Sequence, residues 1–145
     1  MRKYKILVVE DTKSIREELK EILIFEGMDV FTAENGNEGI DKAKKHLPDL
    51  VLCDIMMPLK DGFEVFVEIQ KIKYLKHTPF IFLTAKSTVE NIREGMILGV
   101  DDYITKPFDI DMLIKSIKSR LYKEKIRKKH EKIKLETLQY NISFA

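Results

Sequence analysis

Apolar and polar positions along the chain alternate between two textures. Five short apolar runs read as buried strands: Lys5–Val9, Asp29–Ala33, Leu50–Cys53, Phe80–Thr84 and Asp102–Thr105. After the first run the spacing becomes helical, with Ile15, Leu19, Ile22 and Leu23 recurring between Lys13 and Phe25 and Gly27 as the stop. Asn35 with Glu38 three residues later is a start signal of the capping-box kind, and the helix it opens carries Ile40 and Ala43 to about His46. Asp61-Gly62 signals a turn before Phe63, Phe66, Val67 and Ile69 begin a third helix. Ser87-Thr88-Val89-Glu90 opens a fourth, containing Ile92, Met96 and Ile97 and ending at Gly99. Asp109 caps a fifth.

Five strand–helix units in strict alternation predict an α/β fold in which a parallel sheet carries helices on both faces. Right-handed crossovers bring every strand's C-terminus to one edge. Glu10, Asp11, Asp54, Thr84 and Lys106 each stand at or just past such a terminus, so they converge however far apart they lie in sequence. Open α/β sheets hold their ligands along that edge.

Composition changes this picture little. At 145 residues and 44% hydrophobic the chain can bury one good core. No run approaches the roughly 20 apolar residues of a membrane span, and Lys5–Val9 is too short and too close to acids for a signal peptide. The single cysteine, Cys53, excludes an internal disulfide and reads as a small core residue in a cytoplasmic protein. No GxxxxGK[ST] run is present, so a nucleotide P-loop is excluded. Asp109-Ile110-Asp111 has the form of a phosphatase DxD but opens a helix instead of closing a strand.

Three carboxylates at one rim repel each other unless a cation sits among them and a lysine faces them. A hard ion such as Mg²⁺, or Mn²⁺, takes oxygen ligands from carboxylates, water, backbone carbonyl and phosphate. Lys106 supplies an ammonium and Thr84 a hydroxyl that can bond an oxyanion. With Asp54 as nucleophile, the set suits phosphoryl transfer through an aspartyl phosphate. An aspartate-nucleophile phosphatase uses similar groups and remains an alternative.

Six segments, in order, resemble the receiver domain of two-component response regulators: Val8-Val9-Glu10-Asp11, Asp54-Ile55-Met56-Met57-Pro58, Asp61-Gly62, Thr84-Ala85-Lys86, Gly99-Val100-Asp101-Asp102-Tyr103 and Lys106-Pro107-Phe108. The resemblance runs from about Lys5 to Leu121 and implies a flavodoxin-like doubly wound sheet of order 2-1-3-4-5. It implies phosphorylation of Asp54 by a histidine kinase or phosphotransfer protein, with Mg²⁺ held by Glu10, Asp11, Asp54 and the Met56 carbonyl. It further implies a cis Lys106-Pro107 bond, and a switch in which Thr84 and Tyr103 report to a surface of helix four, strand five and helix five. That surface is also the family's usual homodimer face. Such a receiver has self-phosphorylation and autodephosphorylation activity only. Glu10 replaces a commoner aspartate and lengthens the metal-binding arm.

The last stretch is different in charge. Residues 121–145 hold seven basic and three acidic residues, whereas residues 1–120 hold 19 and 21. With no Gly or Pro after Leu121, helix five extends to about Tyr140, roughly 48 Å from Asp109. Two heptad series, through Ile114, Leu121, Lys128, Leu135 and Ile142 and through Ile117, Glu124, Glu131, Leu138 and Ala145, are charged in the middle, and Ile126, Ile133 and Tyr140 form a competing stripe. Residues 1–121 therefore read as a receiver and 122–145 as a helical linker to an output domain beyond Ala145, with no nucleic-acid or membrane contact by this part. Leu135 to Ala145 is similar to the helix leading into the phospho-accepting histidine of sensor kinases, which implies a hybrid kinase; a DNA-binding output is the alternative.

Overall fold

The computed structural model describes residues 2–85 and 89–143. The start signal at Ser87-Thr88, Lys86 of the matched Thr84-Ala85-Lys86 segment, and Phe144 and Ala145 lie outside the described residues. Strands β1 (Lys5–Val9), β2 (Asp29–Ala33), β3 (Leu50–Asp54), β4 (Phe80–Thr84) and β5 (Asp102–Thr105) alternate with helices α1 (Lys13–Phe25), α2 (Gly36–His46), α3 (Gly62–Gln70), α4 (Val89–Leu98) and α5 (Ile110–Ser143). A single 3₁₀ turn, Lys73–Leu75, follows α3. The strands form one parallel sheet in the order β2-β1-β3-β4-β5, as the family resemblance implied.

Alternation of side chains along each strand divides the core in two. Ile6, Val8, Leu50, Leu52, Ile81 and Leu83 face one way and pack with Leu19 and Leu23 of α1 and Leu113, Ile117 and Leu121 of α5. Leu7, Val9, Val51, Cys53, Phe80 and Phe82 face the other way, against Ile40 and Ala43 of α2 and Phe63, Phe66 and Ile69 of α3. Aromatic edges fill this second layer: Phe63 meets Phe82 at 5.0 Å and Phe66 meets Phe80 at 4.9 Å between centroids. Cys53 is buried and free, a core residue as its strand position suggests.

Helix ends follow local chemistry. Asn35 accepts from the Glu38 amide, but Glu38 answers to the Glu34 amide instead of Asn35, so the box closes one residue early. The complete capping box lies at Asp61 and Glu64, where the sequence shows D-x-x-E just before an apolar run. At the end of α4, Gly99 (φ 90°) stands past the last turn while the Val100 and Gly99 amides donate back to the Gly95 and Met96 carbonyls, a Schellman arrangement. Asp109 caps α5 through the Met112 amide. His46, at the end of α2, is half-buried and stacks on Phe31 with centroids 3.9 Å apart.

Helix α5 continues without a break to Ser143, and no helix among the described residues is long and apolar enough to cross a membrane. Leu113, Ile117 and Leu121 fasten its first part to the sheet; beyond them Ile126, Ile133, Leu135 and Leu138 are exposed.

Gly62, at the start of α3, has no room for a side chain: a Cβ would stand 2.5 Å from the Asp54 carbonyl and 2.9 Å from Ile55 Cα. The close approach lets the Gly62 amide donate to the Ile55 carbonyl at 2.9 Å, fixing the turn beneath Asp54. Gly62→Ala is expected to destabilise the fold by about 1–3 kcal/mol through overpacking, measured as a lower urea midpoint with unchanged slope.

Candidate functional site

Strand register delivers the site. Val9 of β1 pairs with Cys53 of β3, so Glu10 and Asp54, the next residues, lie side by side at the carboxyl edge. β3 runs one residue longer than its apolar run suggests and includes Asp54 itself, which pairs with Leu83. Thr84 pairs with Thr105, and the Lys106 amide donates to the Thr84 carbonyl at 2.8 Å. Four strands separated by up to about a hundred residues thus place Glu10, Asp54, Thr84 and Lys106 on one rim.

The carboxylates are close and mostly buried. Glu10, Asp11 and Asp54 each offer an oxygen, and the three oxygens lie within 4.8 Å of one another. Glu10 is fully buried and Asp54 is 4% exposed, whereas Asp11 is exposed. Lys106 pairs with Glu10 and stands 3.5 Å from Asp54 Oδ2; the other Asp54 oxygen accepts from the Met56 amide at 3.3 Å. The Lys106-Pro107 bond is cis. Among the described residues, the Lys106 ammonium is the one that pairs with these carboxylates. Burial, and next the Glu10 carboxylate beside it, push Asp54 up to about 8 against the opposing pull of Lys106.

Glu10 Oε2 is buried with no hydrogen-bond partner among the described residues. A buried, unpaired carboxylate oxygen is costly, and it belongs to the residue that groups with Asp11 and Asp54. The donor set is all oxygen, which suits a hard divalent cation. Capping does not account for Asp11, because α1 has Thr12 at its N-cap and no side-chain cap bond. Met56 has an exposed side chain, and Met57 is buried in the core.

Thr84 and Tyr103 lie on the opposite sheet face from the Asp54 side chain. Thr84 is 1% exposed. Tyr103 pairs with Phe82 in the ladder, packs on its ring at 5.7 Å and donates its hydroxyl to the Ile92 carbonyl of α4 at 3.1 Å. Burial raises the phenol above its ordinary value. One contributor is not signalled by any sequence pattern: the Arg16 guanidinium, on the first turns of α1, donates to the Glu10 carbonyl at 2.8 Å and pins the β1–α1 corner.

The topology and the acidic carboxyl edge place the chain among doubly wound α/β proteins with their site at the strand ends. A model of the response regulator receiver domain matches residues 6–118, and the chain belongs to that family of two-component signalling proteins. The fold is similar to that of the chemotaxis protein CheY4 of Vibrio cholerae, with 32% identity and a TM-score of 0.79 over 81% of this chain and 98% of that one. A CheY-like receiver domain protein from Methanospirillum hungatei is 30% identical, with a TM-score of 0.82 over 87% of this chain and 99% of its own. The signal receiver domain of a signal transduction histidine kinase from Syntrophus aciditrophicus is 32% identical, with a TM-score of 0.75 over 82% and 90% respectively. Receiver domains generally bind Mg²⁺ at an acidic pocket and work with histidine kinases or phosphotransfer proteins.

Burial raises Asp54 in the folded protein, so the contribution of this group to metal-free stability is fully present below its unfolded value of 3.8 and is lost as pH rises through about 8. Urea midpoints measured in chelator across that interval should show the decline. Asp54→Asn should flatten this part of the profile and be more stable than the parent at the alkaline end.

Proposed function

We propose that this receiver takes a phosphoryl group onto Asp54 from a phosphohistidine of a kinase or phosphotransfer protein and uses it to set a conformational switch. The observation that supports the reading best is the Asp54 carboxylate itself. It is buried at a strand end, beside a lysine, and one oxygen is already engaged by the Met56 amide. In the transfer, an Asp54 oxygen attacks phosphorus, the new P–O bond forms as the P–N bond to the donor imidazole breaks, and the imidazole leaves with the bonding pair. The ionised form of Asp54 is required. Lys106 is placed to bond a phosphoryl oxygen, and the Thr84 hydroxyl to bond another.

Glu10, Asp11, Asp54 and the Met56 carbonyl would hold Mg²⁺ or Mn²⁺; the ion would neutralise phosphoryl charge and favour the ionised Asp54. The orphaned Glu10 Oε2 supports this role. Thr84 and Tyr103 form the switch: the hydroxyl is drawn toward the phosphoryl group and the ring moves with it, changing the surface of α4, β5 and α5. Residues 1–121 act as the receiver. The unbroken α5 supports residues 122–145 serving as a helical coupling to an output element, and a histidine-kinase setting is favoured by the Syntrophus domain's origin in such a protein. A cytoplasmic location fits these partners.

Incubation with acetyl phosphate and Mg²⁺ should add one phosphoryl group, seen in the intact mass and lost on treatment with hydroxylamine. Asp54→Asn should not take it up, and an Asp54→Asn protein that still carried the label would overturn the assignment. Glu10→Gln and Asp11→Asn should each raise the Mg²⁺ concentration needed for half-maximal uptake by roughly tenfold or more, the scale of one charge-assisted ligand contact.

A further inference from the structure

Gly95 sits inside α4, in a helix interior where glycine is less favourable than alanine. Its backbone does not explain the choice, for among the glycines only Gly27 and Gly99 take positive φ. Space does. A Cβ at residue 95 would fall on the Tyr103 hydroxyl oxygen, with Tyr103 Cζ 2.5 Å and Cε2 3.3 Å away. The phenol lies in the notch left by the missing side chain, donates to the Ile92 carbonyl one turn earlier, and rests its ring on Phe82. Among the described residues outside the helix's own backbone, the three nearest atoms all belong to Tyr103.

We propose that Gly95 is the positioning residue that admits Tyr103 to its inward place, so that this one residue of α4 sets whether the ring can occupy the space between α4 and β4. This deepens the switch reading of Tyr103 given above and rests on it for its functional meaning. The geometric claim stands separately: any side chain at residue 95 excludes the inward ring. The 3.4–4 Å of ordinary contact is unavailable, and the nearest atoms belong to a rigid ring instead of a flexible chain end, so small adjustments do not relieve the overlap.

The test is Gly95→Ala, a change that favours the helix and leaves the rim carboxylates, Thr84 and Lys106 untouched. In protein carrying ring-labelled tyrosine and phenylalanine, the parent should give nuclear Overhauser contacts between Tyr103 and Phe82, and Gly95→Ala should lose them. Phosphoryl uptake from acetyl phosphate by Gly95→Ala should stay within about twofold of the parent, because the chemistry does not pass through residue 95. Persistence of the Tyr103–Phe82 contacts in Gly95→Ala overturns the proposal. A thermodynamic cycle guards against misfolding. Gly95→Ala should raise the melting temperature in a Tyr103→Ala background and raise it less, or lower it, in the parent; equal shifts in both backgrounds also overturn it. The switch reading fails on a different result: if the parent shows the same Tyr103 contacts and exposure before and after phosphorylation, Tyr103 does not report on Asp54, while the steric role of Gly95 is unaffected.

Discussion

The site depends on an unbalanced charge arrangement. Among the described residues, three carboxylates share one rim with the Lys106 ammonium, and one Glu10 oxygen is buried without a hydrogen-bond partner. Electrostatics alone would scatter such groups, since each buried anion raises the cost of the next. They stay together because the sheet leaves them no alternative. Backbone ladders of four strands fix where Glu10, Asp54 and Lys106 emerge, and the hydrophobic layers on both faces fix the ladders. Stability stored in the core is thus set against a strained rim.

The two faces of the sheet divide the labour. Asp54 and Glu10 follow the alternation that also buries Leu52 and Val8 against α1 and α5. Thr84 and Tyr103 follow the opposite alternation, with Phe82 and the α3 aromatics. The two alternations come together at the rim, where Thr84 ends β4 and its carbonyl accepts from the Lys106 amide. This is a consequence of a period of two in strands, not of any special residue.

Much of this was legible in the chain. The apolar runs gave four of the five strands to the residue, and β3 came one residue short because an aspartate ends its apolar texture even though its backbone stays in the ladder. Convergence of Glu10, Asp54, Thr84 and Lys106 followed from topology without any distance. What escaped was whatever depends on shape between elements distant in sequence. Gly62 looked like a turn signal, yet its constraint is the Asp54 carbonyl behind it. No sequence pattern singles out Arg16 or Gly95, whose roles depend on the Glu10 carbonyl and the Tyr103 ring. The Asp61–Glu64 box was readable in principle, being written in four consecutive residues.

Helix α5 has a mechanical aspect. Its opening turns are clamped by Leu113, Ile117 and Leu121 and tied to β5 where Asp102 accepts from Ser116 at 2.6 Å, with Arg120 3.8 Å away. Asp102 also caps the Tyr103 amide at 2.8 Å, so strand and helix share an anchor beside the aromatic ring. Glu124 and Arg127 are still half-buried, and from Lys128 to Ile142 every side chain is exposed, with neither glycine nor proline to absorb bending. The free arm is roughly 23 Å long, and a tilt of about 5° at its base would carry the tip about 2 Å. A small adjustment at the sheet would be magnified along the arm by leverage alone.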